Sequence, residues 1–134
     1  MADCFSKEKR SEIMSHIRST NSKAEAIVFS ELRKRGIYFQ KHYQRVIGKP
    51  DIALPRKKTA VFIDGDFWHG RKKDIERLPK NYWQDKIAGN MKRDQEINKC
   101  LHDLGWKVLR VWEKDIITKK TRESEINKIV DFLI

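Results

Sequence analysis

Cysteine, proline and long hydrophobic runs are scarce in this chain of 134 residues. It has only 2 cysteines, Cys4 and Cys100, and this number is too small for a multi-cysteine zinc module. Two cysteines so far apart in sequence are typical of reduced thiols in a cytosolic protein. No apolar run approaches the ~20 residues of a membrane span, and the N-terminus lacks the pattern of a signal peptide. We therefore expect a cytoplasmic protein of a bacterial-type cytosol, associated with the nucleoid rather than a membrane.

Acidic residues are also in deficit. Lys and Arg number 30 against 19 for Asp and Glu, which gives a net charge of +11. This excess favours a polyanionic partner, with nucleic acid ahead of an acidic membrane surface. A hydrophobic content of 39% with 4 Trp argues against a disordered chain. The length predicts one domain over 1–134, with a basic helical arm over 1–20 and a core over 21–134.

Hydrophobic spacing predicts an α/β fold with element order ααβββαβα. The predicted helices cover 6–18, the stretch from the capping box Ser22–Glu25 to Gly36, 81–104, and a final segment capped by Thr121. The predicted strands cover 37–43, 51–54, 59–64 and 106–112, and a basic loop covers 70–80. Because only a short turn at Lys57-Lys58 separates the second and third strands, we expect an antiparallel hairpin. The order predicts a mixed sheet with helices on both faces.

Two carboxylates mark the ends of neighbouring predicted strands. Asp51 begins one strand and Asp64 ends the next, so pairing of the strands could bring the carboxylates together. Close carboxylates repel each other unless a cation neutralises them, and Mg²⁺ prefers oxygen ligands with open water positions. On a phosphodiester, Mg²⁺ polarises the phosphoryl oxygen, activates water and stabilises the leaving alkoxide. From spacing alone, a pair of exposed turn aspartates explains the pattern equally well.

Two aromatic residues and a histidine, Phe67-Trp68-His69, follow the third strand. A histidine titrates near neutral pH, so His69 is a candidate general acid or base for the attacking water or the leaving group. A single histidine is more often structural. Phe67 and Trp68 are candidates to wedge into or stack on bases. The simpler interpretation places one ring in the core and the other on the surface.

Three segments in chain order resemble the very-short-patch (Vsr) mismatch repair endonucleases. They are Gly48-Lys49-Pro50-Asp51, Phe62-x-x-Gly65-x-Phe67-Trp68-His69, and Leu104-Gly105-Trp106-Lys107-Val108-Leu109-x-Val111-Trp112-Glu113, preceded by Arg10-Ser11-x-x-Met14. The resemblance covers nearly the whole chain and implies the PD-(D/E)XK nuclease fold, with histidine where that superfamily usually has lysine. It implies an enzyme that nicks DNA 5′ to the thymine of T:G mismatches, which arise when 5-methylcytosine deaminates.

The resemblance also implies roles for individual residues. Asp51 and the backbone carbonyl of Ile63 would bind the metal, His69 would be the catalytic histidine, and Glu25 would be a supporting acid. Phe67, Trp68 and Trp83 would form an aromatic wedge from the major groove. On the opposite side, Met14 of the N-terminal arm would enter the minor groove. The further residues of the DNA-contacting region are Lys86, Asn90 and Arg93.

The chain departs from the family pattern at two places. Asp64 stands where relatives often carry histidine, so we expect a pocket in which Asp64 joins Asp51 as a metal ligand. The family's structural zinc would be held at positions that here read Asp66, Arg71, Lys73 and Lys114. Since Arg and Lys are poor zinc ligands, we predict no structural zinc, and an ion pair between Asp66 and one of these bases instead.

Two other functions remain open from the sequence. One is a restriction-type or general endonuclease on the same fold, which would have no need of an aromatic wedge. The other is a DNA-binding module with a decayed site, against which the presence of Asp51, Asp64 and His69 together argues. For the mismatch enzyme we expect a monomer that acts on duplex DNA containing T:G. An accessory mismatch-repair protein is a further candidate partner.

Overall fold

The computed structural model describes residues 5–15, 23–65 and 82–134. Over these ranges the chain forms five helices and four strands. The helices are α1 (Lys7–Ser15), α2 (Lys23–Lys34), α3 (Tyr82–Asp103), α4 (Glu113–Ile117) and α5 (Lys119–Leu133). The strands are β1 (Gln40–Lys41), β2 (Ile52–Leu54), β3 (Thr59–Asp64) and β4 (Lys107–Trp112). The order matches the predicted one, with the short helix α4 added.

The four strands form one mixed sheet in the order β1-β2-β3-β4. Strands β2 and β3 pair antiparallel, with Ile52 opposite Val61, which confirms the predicted hairpin. Strand β4 lies parallel to β3, with Asp64 opposite Trp112, and α3 belongs to the crossover between them. The ends of β3 and β4 and the start of β2 therefore lie at one edge of the sheet, which we call the site edge.

Strand β3 is buried on both faces, which explains its nearly continuous apolar sequence. Val61 packs in a core with buried residues of α2, α4 and α5, among them Val28, Ile116 and Ile129. On the other face, Ala60 and Phe62 pack with buried residues of α1 and α3, among them Ile13, Ile97 and Leu101. Helices thus cover both faces of the sheet, as predicted. Among the helices of the described residues, none is both long and apolar enough to cross a membrane.

Two helices end at the glycines predicted to end them. After α2, the N–H of Ile37 donates to the carbonyl of Leu32 at 3.0 Å, across Gly36. After α3, the N–H of Trp106 donates to the carbonyl of Leu101 at 2.8 Å, across Gly105. This pattern satisfies carbonyls that would otherwise lack partners at the helix end. The turn after α3 leads directly into β4.

Three local predictions need correction. The first strand is limited to Gln40–Lys41 because His42 adopts a φ of 49°, which is incompatible with an extended strand. Thr118, not Thr121, occupies the N-cap position of α5. Thr121 lies inside that helix, and its hydroxyl donates to the carbonyl of Asp115 at 2.6 Å. Finally, α4 has only 5 residues, too few for a recognisable hydrophobic period.

The prediction of two reduced cysteines is wrong for Cys100, which is disulfide-bonded in the structure. Its side chain is buried, at 2% exposure, in the core that Ile13 of α1 shares with α3. The other cysteine of the sequence, Cys4, lies outside the described residues.

Candidate active site

Asp51 lies at the site edge, immediately before β2. Its backbone carbonyl accepts a hydrogen bond from the N–H of His42 at 3.0 Å. Its carboxylate Oδ2 accepts one from the N–H of Ile63 at 2.7 Å. Asp51 is therefore held from both sides, by the residue after β1 and by a residue of β3. The Asp51 carboxylate predicted from the sequence is thus held just beyond the last paired residues of β2 and β3, Ile52 and Val61.

The turn before Asp51 requires the glycine of its motif. Gly48 has a φ of 90° and Lys49 a φ of 51°, both in the left-handed region. A Cβ on Gly48 would lie 2.7 Å from Cγ2 of Ile97 and 3.2 Å from the ring of Phe62. The turn therefore packs its backbone directly onto the core beneath it. Packing of Gly48 on the core restrains the backbone of the turn. The next residues, the fully buried Pro50 and then Asp51, are positioned by this turn.

Glu25 and His42 complete a cluster with Asp51. Nε2 of His42 lies 2.9 Å from Oε2 of Glu25. One potential ligand atom from each of the three residues lies within 4.8 Å of the others. Glu25 is only 7% exposed and sits in the first turn of α2, where the helix dipole favours a carboxylate. Sequence reasoning identified Glu25 and Asp51 but missed His42, which lies inside the predicted strand 37–43 and carries no motif of its own.

The surroundings of Asp51 disfavour its ionised form. Burial raises the pKa of the Asp51 carboxyl well above its usual range, and a hydrogen bond with Glu25 and the charges of Glu25 and Asp64 raise it further. The N–H of Ile63 opposes this shift, because it stabilises the carboxylate. A bound cation would stabilise the ionised pair. The cluster, with its carboxylate oxygens at close range, is thus chemically suited to a divalent metal.

Asp64 lies near this cluster but is paired with a base. Nη1 of Arg110 lies 2.9 Å from Oδ1 of Asp64, and both side chains are largely shielded from solvent. Arg110 also donates from Nε to Asn98 at 2.7 Å and lies over the ring of Phe62, at 4.2 Å from its centroid. Alternation along β3 directs Asp64 and Phe62 toward α3, where Asn98 and Asp94 lie. The role of Asp64 as a metal ligand stays a prediction.

Comparison with known proteins settles the family. Residues 2–75 match the family model described as DNA mismatch endonuclease Vsr. This chain belongs to the Vsr family of DNA endonucleases. The predicted family and the predicted activity class, a DNA-binding hydrolase, are therefore confirmed. The mixed sheet flanked by helices is consistent with the Vsr nuclease fold.

Full-length relatives support the same assignment. The Type II nicking enzyme V.NmeAIP of Neisseria meningitidis is 37% identical over 133 residues, which cover 97% of this chain and 95% of the relative. The Type II nicking enzyme V.XorIIP of Xanthomonas oryzae is 36% identical over 134 residues, with 98% of each chain covered. The DNA mismatch endonuclease Vsr of Escherichia coli is 32% identical over 116 residues, covering 84% of this chain and 74% of the relative.

The DNA-contacting residues that the Vsr resemblance implied are described only in part. On α3, Nη1 of Arg93 donates to Oδ1 of Asn90. Asn90 lies one turn before Asp94, whose Oδ1 is 3.5 Å from Nη1 of Arg110. The turn of α3 around Asp94 therefore lies beside the site edge, and the DNA contacts of Asn90 and Arg93 stay predictions.

Other predicted residues fall outside the described parts of the chain. Phe67, Trp68 and His69 lie in one such segment, as do Asp66, Arg71 and Lys73 of the predicted ion pair. The backbones of Met14, Trp83 and Lys86 lie in helices, but their side chains are outside the described part of the structure. Their roles stay predictions.

Proposed function

We propose that this Vsr endonuclease is Mg²⁺-dependent and nicks one strand of duplex DNA 5′ to the thymine of a T:G mismatch. Such mismatches arise when 5-methylcytosine deaminates. The observation that carries the proposal is the cluster of Glu25, His42 and Asp51 at the site edge. Relatives described as nicking enzymes and as a mismatch endonuclease support cleavage of one strand and a mismatched substrate.

Asp51 and the backbone carbonyl of Ile63 are the proposed metal ligands, with Glu25 as a supporting acid. The N–H of Ile63 holds Oδ2 of Asp51 at 2.7 Å, which restricts rotation of the carboxylate. When bound, Mg²⁺ would polarise a phosphoryl oxygen, lower the pKa of water and stabilise the leaving alkoxide. Asp64 would join the ligands through lone pairs that its contact with Arg110 leaves open. His69 is the proposed general acid or base for the attacking water or the leaving group.

The proposed recognition of the mismatch depends on aromatic side chains. Phe67, Trp68 and Trp83 would enter from the major groove and Met14 from the minor groove. Unstacking costs a few kcal/mol per base step, and a mismatched pair opens at the lowest cost. The net charge of +11 supplies phosphate binding that does not depend on sequence. Lys86, Asn90 and Arg93 of α3 are the proposed contacts beside the site edge.

One alternative function has an observation in its favour. Several relatives are described as Type II nicking enzymes, which is compatible with a nicking endonuclease that requires no mismatch. A decayed DNA-binding module has no such support, because Glu25, His42 and Asp51 form an intact cluster. The mismatch enzyme and the nicking endonuclease that requires no mismatch differ in their substrate, and the chemistry of the site is the same for both.

Cleavage of end-labelled duplexes tests the proposal. Duplexes that differ only in a central T:G, C:G or T:A pair are incubated, in several sequence contexts, with Mg²⁺ or with EDTA. We expect a single nick 5′ to the thymine of T:G, dependent on Mg²⁺ and lost in Asp51→Asn. Equal nicking of matched duplexes would favour the alternative. Undiminished nicking in EDTA, or by the Asp51→Asn variant, would overturn the proposed metal site.

A further inference from the structure

We propose that His42 is a positioning residue for the reaction, which holds the Glu25 carboxylate against Asp51 at the metal site. This inference rests on the proposed metal-dependent function. Neither the family resemblance nor the motifs of the sequence single out His42. The structure assigns the role through two separate contacts of this residue, one from its ring and one from its backbone.

The ring of His42 connects Glu25 to a shielded aromatic surface. Its Nε2 lies 2.9 Å from Oε2 of Glu25, and the Glu25 side chain is only 9% exposed. The other side of the ring packs edge-on against Phe29, with centroids 5.8 Å apart. Because Phe29 belongs to the main core, this contact restrains the orientation of the imidazole, although the His42 side chain is 24% exposed. The hydrogen bond therefore restrains the nearly buried Glu25 carboxylate.

The backbone of His42 connects the same ring to Asp51. Its N–H donates to the carbonyl of Asp51 at 3.0 Å, and its φ is 49°. A non-glycine residue in the left-handed region is unusual, and such residues gather at functional sites. This conformation ends β1 and turns the ring toward α2. One strained residue thus contacts both acids, Asp51 through its backbone and Glu25 through its side chain.

The two contacts of His42 support the direct hydrogen bond that joins the Asp51 and Glu25 side chains. Glu25 lies on α2 and Asp51 precedes β2, so no shared element sets the distance between their carboxylates. His42 supplies a second link beside the direct hydrogen bond between the two side chains. Without its Nε2, the Glu25 carboxylate would keep its burial but lose one of the groups that orient it. Such supporting partners matter because they hold ligand oxygens in the geometry that the metal requires.

The test compares His42→Gln with His42→Phe. Phenylalanine keeps a ring against Phe29 but removes the donor, whereas glutamine keeps an amide N–H of similar reach. Both place a residue other than glycine at a φ of 49°, so both variants carry backbone strain there. We expect His42→Phe to lose ~10–100-fold in Mg²⁺ affinity and in kcat, with KM for T:G duplex nearly unchanged. We expect His42→Gln to recover most of both losses.

A second readout uses the protein without DNA. Titration calorimetry with MgCl₂ measures the affinity of the wild type, His42→Phe, Glu25→Gln and the double variant. If His42 acts through Glu25, His42→Phe weakens Mg²⁺ binding in the wild type but adds little in the Glu25→Gln background. Circular dichroism confirms the fold. Should His42→Phe not fold, His42→Asn replaces it, because asparagine tolerates a positive φ and is too short to reach Glu25.

Three outcomes would overturn the inference alone. They are wild-type Mg²⁺ affinity and kcat in His42→Phe, losses in His42→Gln as large as those in His42→Phe, and additive effects in the double variant. A wild-type protein that neither binds Mg²⁺ nor cleaves T:G duplex with it would overturn the proposed function and, with it, this inference. The two failures are thus distinguishable.

Discussion

Nη1 of Arg110 contacts both carboxylate oxygens of Asp64, at 2.9 Å and 3.1 Å, from the neighbouring strand. The charge of Asp64 is therefore balanced at short range, whereas Asp51 faces a second acid in Glu25. Asp64 and Asp51 thus differ in their surroundings at the site edge. Asp64 is paired with a base of the fold, and for Asp51 the proposed counter-charge is a metal cation.

Loss of Arg110 alone should destabilise the fold more than loss of both charges of the Asp64–Arg110 pair. Arg110→Met leaves a shielded carboxylate without its base, so we expect a loss of about 3 kcal/mol in the free energy of unfolding. Adding Asp64→Asn to Arg110→Met should recover a large part of that loss. Urea denaturation of the wild type, both single variants and the double variant measures the coupling. An Arg110→Met protein as stable as the wild type would show that the pair does not stabilise the fold.

The same pairing predicts unequal effects of the two aspartates on catalysis. Asp51→Asn should abolish Mg²⁺-dependent nicking, because it removes the carboxylate that is the proposed metal ligand. Asp64→Asn should lose less activity, since its carboxylate is engaged by Arg110 in the metal-free protein. Initial nicking rates measured across a range of Mg²⁺ concentrations test this. An equal loss in the two variants, restored by high Mg²⁺ in neither, would mean that Asp64 also binds the metal.

Asp51 should also make the metal-free protein less stable at neutral pH. The pKa of its carboxyl is raised above its usual 3.8, so the folded state binds this proton more tightly than the unfolded state. The associated stability is present below 3.8 and is lost as pH rises through the raised folded value. In Asp51→Asn, the side-chain oxygen can still accept from Ile63 and the amide can donate to Glu25.

We therefore expect Asp51→Asn to be more stable than the wild type by about 0.5–2 kcal/mol at pH 7 in EDTA. The difference should disappear under acidic conditions, where the wild-type carboxyl is protonated. Mg²⁺ should stabilise the wild type and leave the variant unchanged. Urea denaturation at several pH values measures all three effects. A variant that is less stable than the wild type at pH 7 would contradict the electrostatic account of the site.

Much of the fold was predictable because its signals are local. The β-branched run of β3 gave its bounds, Thr59–Asp64, and the helical spacing of α3 gave its length to within a residue or two. The β1 strand was overestimated because a polar and apolar mixture does not reveal a left-handed residue such as His42. The helix α4 was missed because one turn has no period to recognise.

The site was predictable only where a motif marks it. Asp51 belongs to a segment that resembles the Vsr family, the resemblance implies a role for Glu25, and both lie in the cluster. His42 and Arg110 carry no such mark. Their acids lie 17 and 46 residues away in sequence, and the pairings arise from the sheet register and the packing of α2. A single sequence holds no signal for contacts of that range between common charged residues.

The proposed aromatic wedge predicts a selective loss of binding. Trp68→Ala should weaken binding to T:G duplex by several-fold or more, because stacking is worth about 1–3 kcal/mol per base. Binding to matched duplex should change much less, since it depends on phosphate contacts and falls with salt. Fluorescence anisotropy with matched and mismatched duplexes at two salt concentrations measures both. An equal loss on the two duplexes would indicate that Trp68 is part of the core.

Gly48 should be irreplaceable for both packing and catalysis, and Gly36 supplies the matched control. Both have a positive φ, 90° and 70°, so alanine is strained at either position. A Cβ on Gly36 would meet nothing within 4 Å, whereas one on Gly48 would lie 2.7 Å from Cγ2 of Ile97. Gly36→Ala therefore measures strain alone, and Gly48→Ala measures strain together with overpacking of the core.

We expect Gly36→Ala to cost about 1 kcal/mol of stability and to leave nicking unchanged. Gly48→Ala should cost about 1–3 kcal/mol more, because its methyl group has to displace core side chains. It should also slow nicking, since the turn at Gly48 leads through buried Pro50 to Asp51. Urea denaturation and nicking rates at saturating Mg²⁺ separate the two effects. Equal stability losses in the two variants would show that the core accommodates the added methyl group at Gly48. The packing of this turn would then not determine the position of Asp51.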